Sequence, residues 1–222
     1  MTAAAESGTR AVLFDLDGTF ADTAPDMALA LNQVRAAHQL PALPLSALRP
    51  HVSRGARGML EIGFGIAPEE ARYEALRDAF LDYYSRNICV ETKLFSGIEN
   101  VLRTLEQRGI AWGIVTNKAA RFTLPLLRAL GMAERAACIV CGDTTPFSKP
   151  HPQPLLEAAL RLAIAPGSAI YVGDDERDIV AARAARMRSL VVRYGYLGDG
   201  TSPEEWGADA LIDAPGEILD HL

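Results

Sequence analysis

Short, unbroken apolar runs recur along the chain at 11–15 (AVLFD), 111–116 (AWGIVT), 137–141 (ACIVC), 169–174 (AIYVGD) and 189–193 (SLVVR). Runs of this length, rich in β-branched and aromatic residues, predict strands buried on both faces. Between the later runs, helical spacing appears at 119–130, 152–163 and 176–185, each followed by Gly, Pro or a turn. Strands alternating with helices predict an α/β fold: a doubly wound parallel sheet of Rossmann type with right-handed crossovers. The tail suggests one more short strand at 209–212 and a closing helix.

The first strand breaks the rhythm, because about 75 residues separate it from the next helix and strand of the sheet, far more than one crossover needs. Within that gap, 25–40, about 55–63 and 68–86 place Ala, Leu, Met, Phe and Tyr at helical spacing, with Pro25 and Pro68 at plausible first helical positions. The expected organisation is an α/β core formed by residues 1–21 and 92–222, with a small helical cap domain, 22–91, inserted into it.

At 222 residues and 49% hydrophobic, the chain can bury a full core plus such an appended unit. The formal charge of -6 disfavours nucleic acid, whose phosphates are bound by neutralising them. The opening MTAAAESGTR lacks a signal-like apolar run and no membrane-length apolar stretch follows, so a cytoplasmic protein without membrane contact, a monomer or homodimer, is expected. Cys138 and Cys141 are spaced as C-x-x-C, but in a strand that separation sends the side chains to opposite faces, which favours buried thiols over a metal site.

In an open parallel sheet, ligands lie beyond the carboxyl ends of the strands. The residues there form a coherent set: Asp15-Leu16-Asp17-Gly18-Thr19, then Thr116-Asn117-Lys118, then Ser148-Lys149-Pro150, then Gly173-Asp174-Asp175 with Asp178 beyond. A D-x-D alone reads equally as turn or helix caps. All four elements in order, each at a strand end, point instead to one site where carboxylates, a hydroxyl and an ammonium meet. Asp15 and Asp17 project toward the same side and, with Asp174, offer oxygen ligands suited to Mg²⁺, which prefers few carboxylates supplemented by water and phosphate.

The motifs DLDGT, VTNK, SKP and GDDERDI resemble, in order, the four motifs of the haloacid dehalogenase superfamily of phosphatases. The resemblance covers essentially the whole chain, and LFDLDGTFADTAPD, GIVTNKAARF and KPHPQPL are similar to its phosphoglycolate phosphatase-like branch. It implies a Mg²⁺-dependent phosphomonoesterase in which Asp15 is the nucleophile and forms an aspartyl-phosphate. Asp17 would be the general acid and base, its carbonyl a further metal ligand. Lys149 and Thr116, with the backbone N–H of Asn117, would hold the phosphate. Asp174 would bind the metal, Asp175 and Asp178 would orient it from behind, and Gly18 would let the chain turn beside it. Proton donation by Asp17 also separates this reading from halide displacement, where the leaving group needs no proton.

The expected partner is a small phosphorylated metabolite carrying a carboxylate: 2-phosphoglycolate first, N-acetylmuramic acid 6-phosphate as the alternative, since VSRGARGML, KLFSGIENVL and WGAD are closer to phosphatases of the latter. Ser53 and Arg54, at a glycine-rich helix start, are candidate carboxylate contacts, with Lys118 beside them, although Arg54 and Arg57 read equally as solvated charges. A sugar phosphomutase and a non-catalytic phosphoacceptor module share parts of the pattern. The second has no need of Asp17 or of a cap with its own arginines.

Overall fold

The computed structural model describes residues 8–198 and 200–222. Strand β1 (Ala11–Phe14) runs into the D-x-D loop, and β2 (Ala21–Asp22) leads into helices α1 (Ala24–Ala37), α2 (Leu45–Leu48), α3 (Gly55–Phe64) and α4 (Tyr73–Arg86), with a 3-10 turn, Arg49–Arg54, between α2 and α3. The chain returns through β3 (Lys93–Leu94), which pairs antiparallel with β2, to α5 (Ile98–Gln107), β4 (Ala111–Val115), α6 (Ala120–Ala129) and β5 (Cys138–Val140). There follow α7 (Gln153–Arg161), β6 (Ala169–Gly173), α8 (Glu176–Ala184), β7 (Arg188–Val192), β8 (Ala210–Ile212) and a closing 3-10 helix, Pro215–His221.

Six strands form one parallel sheet in the order β5-β4-β1-β6-β7-β8. Renumbered along the sheet, this is the doubly wound order 3-2-1-4-5-6, and it places the reversal of winding, where ligands bind, between β1 and β6. Strand alternation sorts the two faces. Val12 and Phe14 join α5 and α6 in one cluster, through Leu102, Leu105, Leu126 and Leu127. Ala11 and Leu13 join α7 and α8 in another, through Leu155, Ala158 and Ala182.

The inserted helices build a separate cluster around Leu31, Met59, Leu60, Phe80 and Tyr84, joined by Phe122 and Tyr196 from the sheet side. The buried Asp26 carboxylate at the start of α1 accepts hydrogen bonds from the backbone N–H groups of Val90, Glu91 and Thr92 at 3.0 Å each, and so ties the outgoing chain to the returning one.

One local expectation is corrected. The helix expected at 68–86 begins at Tyr73, because Ala67 N–H donates to the Glu70 side chain and Glu70 N–H to the Ala67 carbonyl, closing a turn around Pro68. Pro25 does lie in the first turn of its helix. The expected closing helix is present and is of 3-10 type. The β2–β3 pair, residues 45–54 and α5 carry no expectation from spacing, since the first two are too short for periodicity to register.

Candidate active site

The four loops converge at the carboxyl edge of β1, β4, β5 and β6. Lys149 lies at the centre, 4% exposed. Its Nζ donates to Asp15 Oδ1 at 2.8 Å and Asp178 Oδ1 at 2.6 Å, and lies within hydrogen-bond range of the Val115 carbonyl at 3.1 Å and Tyr171 Oη at 2.7 Å. The Asn117 side chain staples this loop in place, donating to the Lys149 carbonyl and accepting from its N–H, both at 2.9 Å. Thr116 is buried beside it, its hydroxyl accepting from Lys118 N–H at 3.2 Å.

One carboxylate oxygen from each of Asp15, Asp174 and Asp178 lies within 4.8 Å of the others, and all three residues are buried. The Asp174 carboxylate accepts from Thr19 Oγ1 at 2.9 Å and from Tyr196 N–H at 2.8 Å. Gly18, at φ +88°, leaves room for that carboxylate: a Cβ there would stand 2.1 Å from Asp174 Oδ2. Burial, reinforced by the charges of Asp15 and Asp178, holds the Asp174 carboxyl well above the ordinary range. Burial likewise pushes Asp178 up to about 7, against the pull of Lys149. For Lys149, burial favours the neutral form, but the Asp15 and Asp178 charges outweigh it and raise the ammonium above an ordinary lysine. Three carboxylates against one ammonium leave two negative charges when all are ionised, the deficit a divalent cation with oxygen preference fills. The donor set therefore fits Mg²⁺.

Asp17 stands apart from this cluster. Its carboxylate accepts from Lys118 Nζ at 2.9 and 3.0 Å and from Thr23 Oγ1 at 2.5 Å. Lys118 is itself covered by the Tyr84 ring, 4.8 Å from its centroid, so α4 of the insertion reaches the catalytic edge. Asp175 caps α8, accepting from Arg177 N–H at 2.9 Å, while its own N–H donates to Asp178 Oδ2 at 3.2 Å. Asp175 thus orients Asp178, which is itself part of the acidic cluster.

A cleft of about 260 Å³ opens over these residues and is closed on its far side by Val52, Ser53, Arg54 and Gly55 of the insertion. Ser53 Oγ is buried with no hydrogen-bond partner among the described residues. Arg54 lines the cleft but turns its guanidinium to Glu61. The cleft and the acidic cluster together bring Asp15, Asp17, Thr116, Asn117, Lys118, Lys149, Asp174, Asp175, Asp178, Ser53 and Arg54 to one place, with Gly18 against Asp174, whereas Arg57 lies outside the cleft. Spacing did not reveal Tyr171, Thr19, Thr23, Tyr196 or Arg177. A signal existed for Tyr171, the one hydroxyl-bearing residue inside the apolar strand AIYVG, and for Thr19 and Arg177, which lie within DLDGT and GDDERDI, but none for Thr23 or Tyr196, whose roles depend on loops meeting across the fold.

The sequence pattern of haloacid dehalogenase-like hydrolases matches residues 12–192. The chain is 43% identical over 213 residues to an N-acetylmuramic acid 6-phosphate phosphatase of Pseudomonas aeruginosa, covering 96% of this chain and 94% of that one. It is 47% identical over 210 residues to a phosphoglycolate phosphatase of Xanthomonas campestris, covering 94% of each. Among solved structures, a predicted phosphoglycolate phosphatase from Haemophilus somnus superposes with a TM-score of 0.85 at 25% identity, covering 96% of this chain and 97% of that one.

Proposed function

Because the chain belongs to the haloacid dehalogenase-like hydrolases and is a phosphatase, we propose that Asp15 takes the phosphoryl group of a small carboxylate-bearing phosphomonoester and passes it to water. One observation carries the reading: two aspartates two residues apart occupy different environments, Asp15 on Lys149 and Asp17 on Lys118 and Thr23. Paired acids held apart in this way divide the work of nucleophile and proton carrier.

An Asp15 carboxylate oxygen attacks phosphorus as the bond to the leaving oxygen breaks, and Asp17 gives that oxygen a proton. Asp17 then takes a proton from water, which attacks the aspartyl-phosphate and releases phosphate and the Asp15 carboxylate. Lys149 balances charge on the nucleophile and phosphoryl oxygens throughout, and the Thr116 hydroxyl and Asn117 N–H lie at the same edge to donate to those oxygens. Asp15, Asp174 and the Asp17 carbonyl would hold Mg²⁺, with Asp178 completing the charge balance beside Lys149. When bound, the ion supplies neutralisation of the phosphoryl oxygens. Residues 22–91 act as a cap that shields the cleft from bulk water. No helix among the described residues is long and apolar enough to cross a membrane.

Both candidate substrates carry a carboxylate and differ mainly in bulk. The cleft, at about 260 Å³, lies at the small end of ligand sites, which supports 2-phosphoglycolate. The 43% identity to an N-acetylmuramic acid 6-phosphate phosphatase supports the amino sugar as the second reading. Phosphate release from the two esters, measured in parallel with Mg²⁺, decides between them. A preference of tenfold or more in kcat/KM for 2-phosphoglycolate is expected, and the reverse preference would establish the amino sugar.

Metal binding has a pH signature. Asp174 and Asp178 titrate above the ordinary carboxylate range, Asp178 at about 7. The metal-free fold therefore keeps protons that the unfolded chain has given up, and its stability falls as pH rises through that window. Mg²⁺ displaces those protons, so its stabilisation grows over the same window. At roughly 100 times Kd, an ion binding only the folded state adds about 2.7 kcal/mol, or about 5–10 °C in Tm for a chain of this size. Thermal unfolding with Mg²⁺ and with a chelator, from about pH 5 to 8, checks this. A Mg²⁺ shift flat across that range would place the ion elsewhere.

A further inference from the structure

The GDDERDI segment carries a cation that the phosphoryl chemistry above does not use. Arg177, in the first turn of α8, has its side chain in the cleft together with Asp15, Lys149 and the Ser53–Gly55 wall. Nε donates to Asp175 Oδ1 at 2.7 Å and Nη2 to Asp175 Oδ2 at 2.8 Å. Nη2 also reaches across to the insertion and donates to the Ser53 carbonyl at 2.8 Å. Nη1 is left without a partner among the described residues. The guanidinium is near enough to Asp15 and Asp178 for their charges to act on it, yet it donates to neither: Asp15 accepts from Lys149, and Asp178 from Lys149, Tyr171 Oη and the Asp175 N–H.

A guanidinium pinned on two sides is oriented before any ligand arrives, so little side-chain freedom remains to be lost on binding. Arg177 and Ser53 line the same cleft, and Ser53 Oγ has no hydrogen-bond partner among the described residues. An ionised carboxylate, with two acceptor oxygens, satisfies both. The other arginine of this wall, Arg54, is drawn off by Glu61. Arg177 meets no such competition at Nη1, and Asp175, which neutralises it, holds it from behind.

We propose that Arg177, supplied by the sheet-bearing core rather than by the insertion, is the residue that recognises the substrate's carboxylate, with Ser53 Oγ as its companion donor. The assignment rests on the phosphomonoesterase reading of the site and adds to it the group that selects the ester. It also couples selection to closure, since the Ser53 carbonyl that fixes Arg177 belongs to the wall that must close over the ligand.

The test compares 2-phosphoglycolate with ethyl phosphate, a similar ester without a carboxylate, in wild type, Arg177→Met and Arg177→Lys, at saturating Mg²⁺. The ratio of kcat/KM for the acid over that for ethyl phosphate is expected to fall at least tenfold in Arg177→Met, through KM. Arg177→Lys, which keeps the charge beside Asp175 but loses the fork, is expected to fall between the two. A loss shared equally by both esters would make Arg177 a purely structural partner of Asp175 and overturn the assignment, as would a wild type that does not prefer the acid. Absence of phosphate release in wild type from both esters and from N-acetylmuramic acid 6-phosphate would instead sink the phosphomonoesterase reading, and this assignment with it.

Discussion

Replacing Asp15 by Asn is expected to leave a folded protein whose phosphate release falls by about 10⁴-fold or more, the scale reached when a covalent nucleophile is lost. The amide is nearly the same size and still offers Lys149 an oxygen at the position that now accepts at 2.8 Å. It cannot form the acyl phosphate. With two ionised carboxylates rather than three around Lys149, the cluster also holds a divalent cation less strongly, so the comparison is made at saturating Mg²⁺. Steady-state phosphate release gives the loss. Acid quenching with radiolabelled ester is expected to trap label on wild-type protein and none on the variant. Retention of more than about 1% of wild-type turnover, well above what nucleophile loss leaves, would remove Asp15 from the nucleophile's role.

The parts of the fold that were legible in the sequence are those where a short-range pattern coincides with a long-range fate. β1, β4, β6 and β7 read as apolar runs because a doubly wound sheet buries both faces, so no polar alternation interrupts them. Chemistry-bearing residues stood out for the same reason: Asp15, Thr116 and Asp174 come immediately after such runs, where polarity changes within one residue. Less visible were features that arise when distant segments meet. Nothing local in Asp26 announces that it will clamp residues 90–92, and nothing local in Tyr196 announces its N–H contact with Asp174. The separation of Asp15 and Asp17 into different surroundings is of this kind too. Alternation places both on one side of the chain, but Lys118 and Thr23, from other segments, are what draw Asp17 out of the acidic cluster.

The Lys149→Met variant tests whether that cluster is held together by charge. Met matches the length of the lysine stem, while the one ammonium among three buried carboxylates, which also stands over the Tyr171 ring, is lost. Removing one partner of a buried ion pair costs about 3–5 kcal/mol, because the other is left uncompensated. For a domain of this size that corresponds to a fall of roughly 6–20 °C in Tm. The loss depends on pH in a defined direction. Lys149 now opposes the upward shift of Asp178, so without it that carboxyl titrates higher still than about 7. The variant fold then retains protons to higher pH than wild type, and its deficit is small near pH 5 and grows through neutrality. Mg²⁺ at the same carboxylates restores part of the stability without restoring turnover. Phosphate release falls by about 10²–10³-fold, since the phosphoryl oxygens have lost a preorganised donor. Thermal unfolding of both proteins across pH 5–8, with and without Mg²⁺, separates the possibilities. A deficit independent of pH would mean that Lys149 acts through packing alone, whereas a deficit that widens with pH and narrows with Mg²⁺ identifies the buried charge as what holds the four loops at one edge.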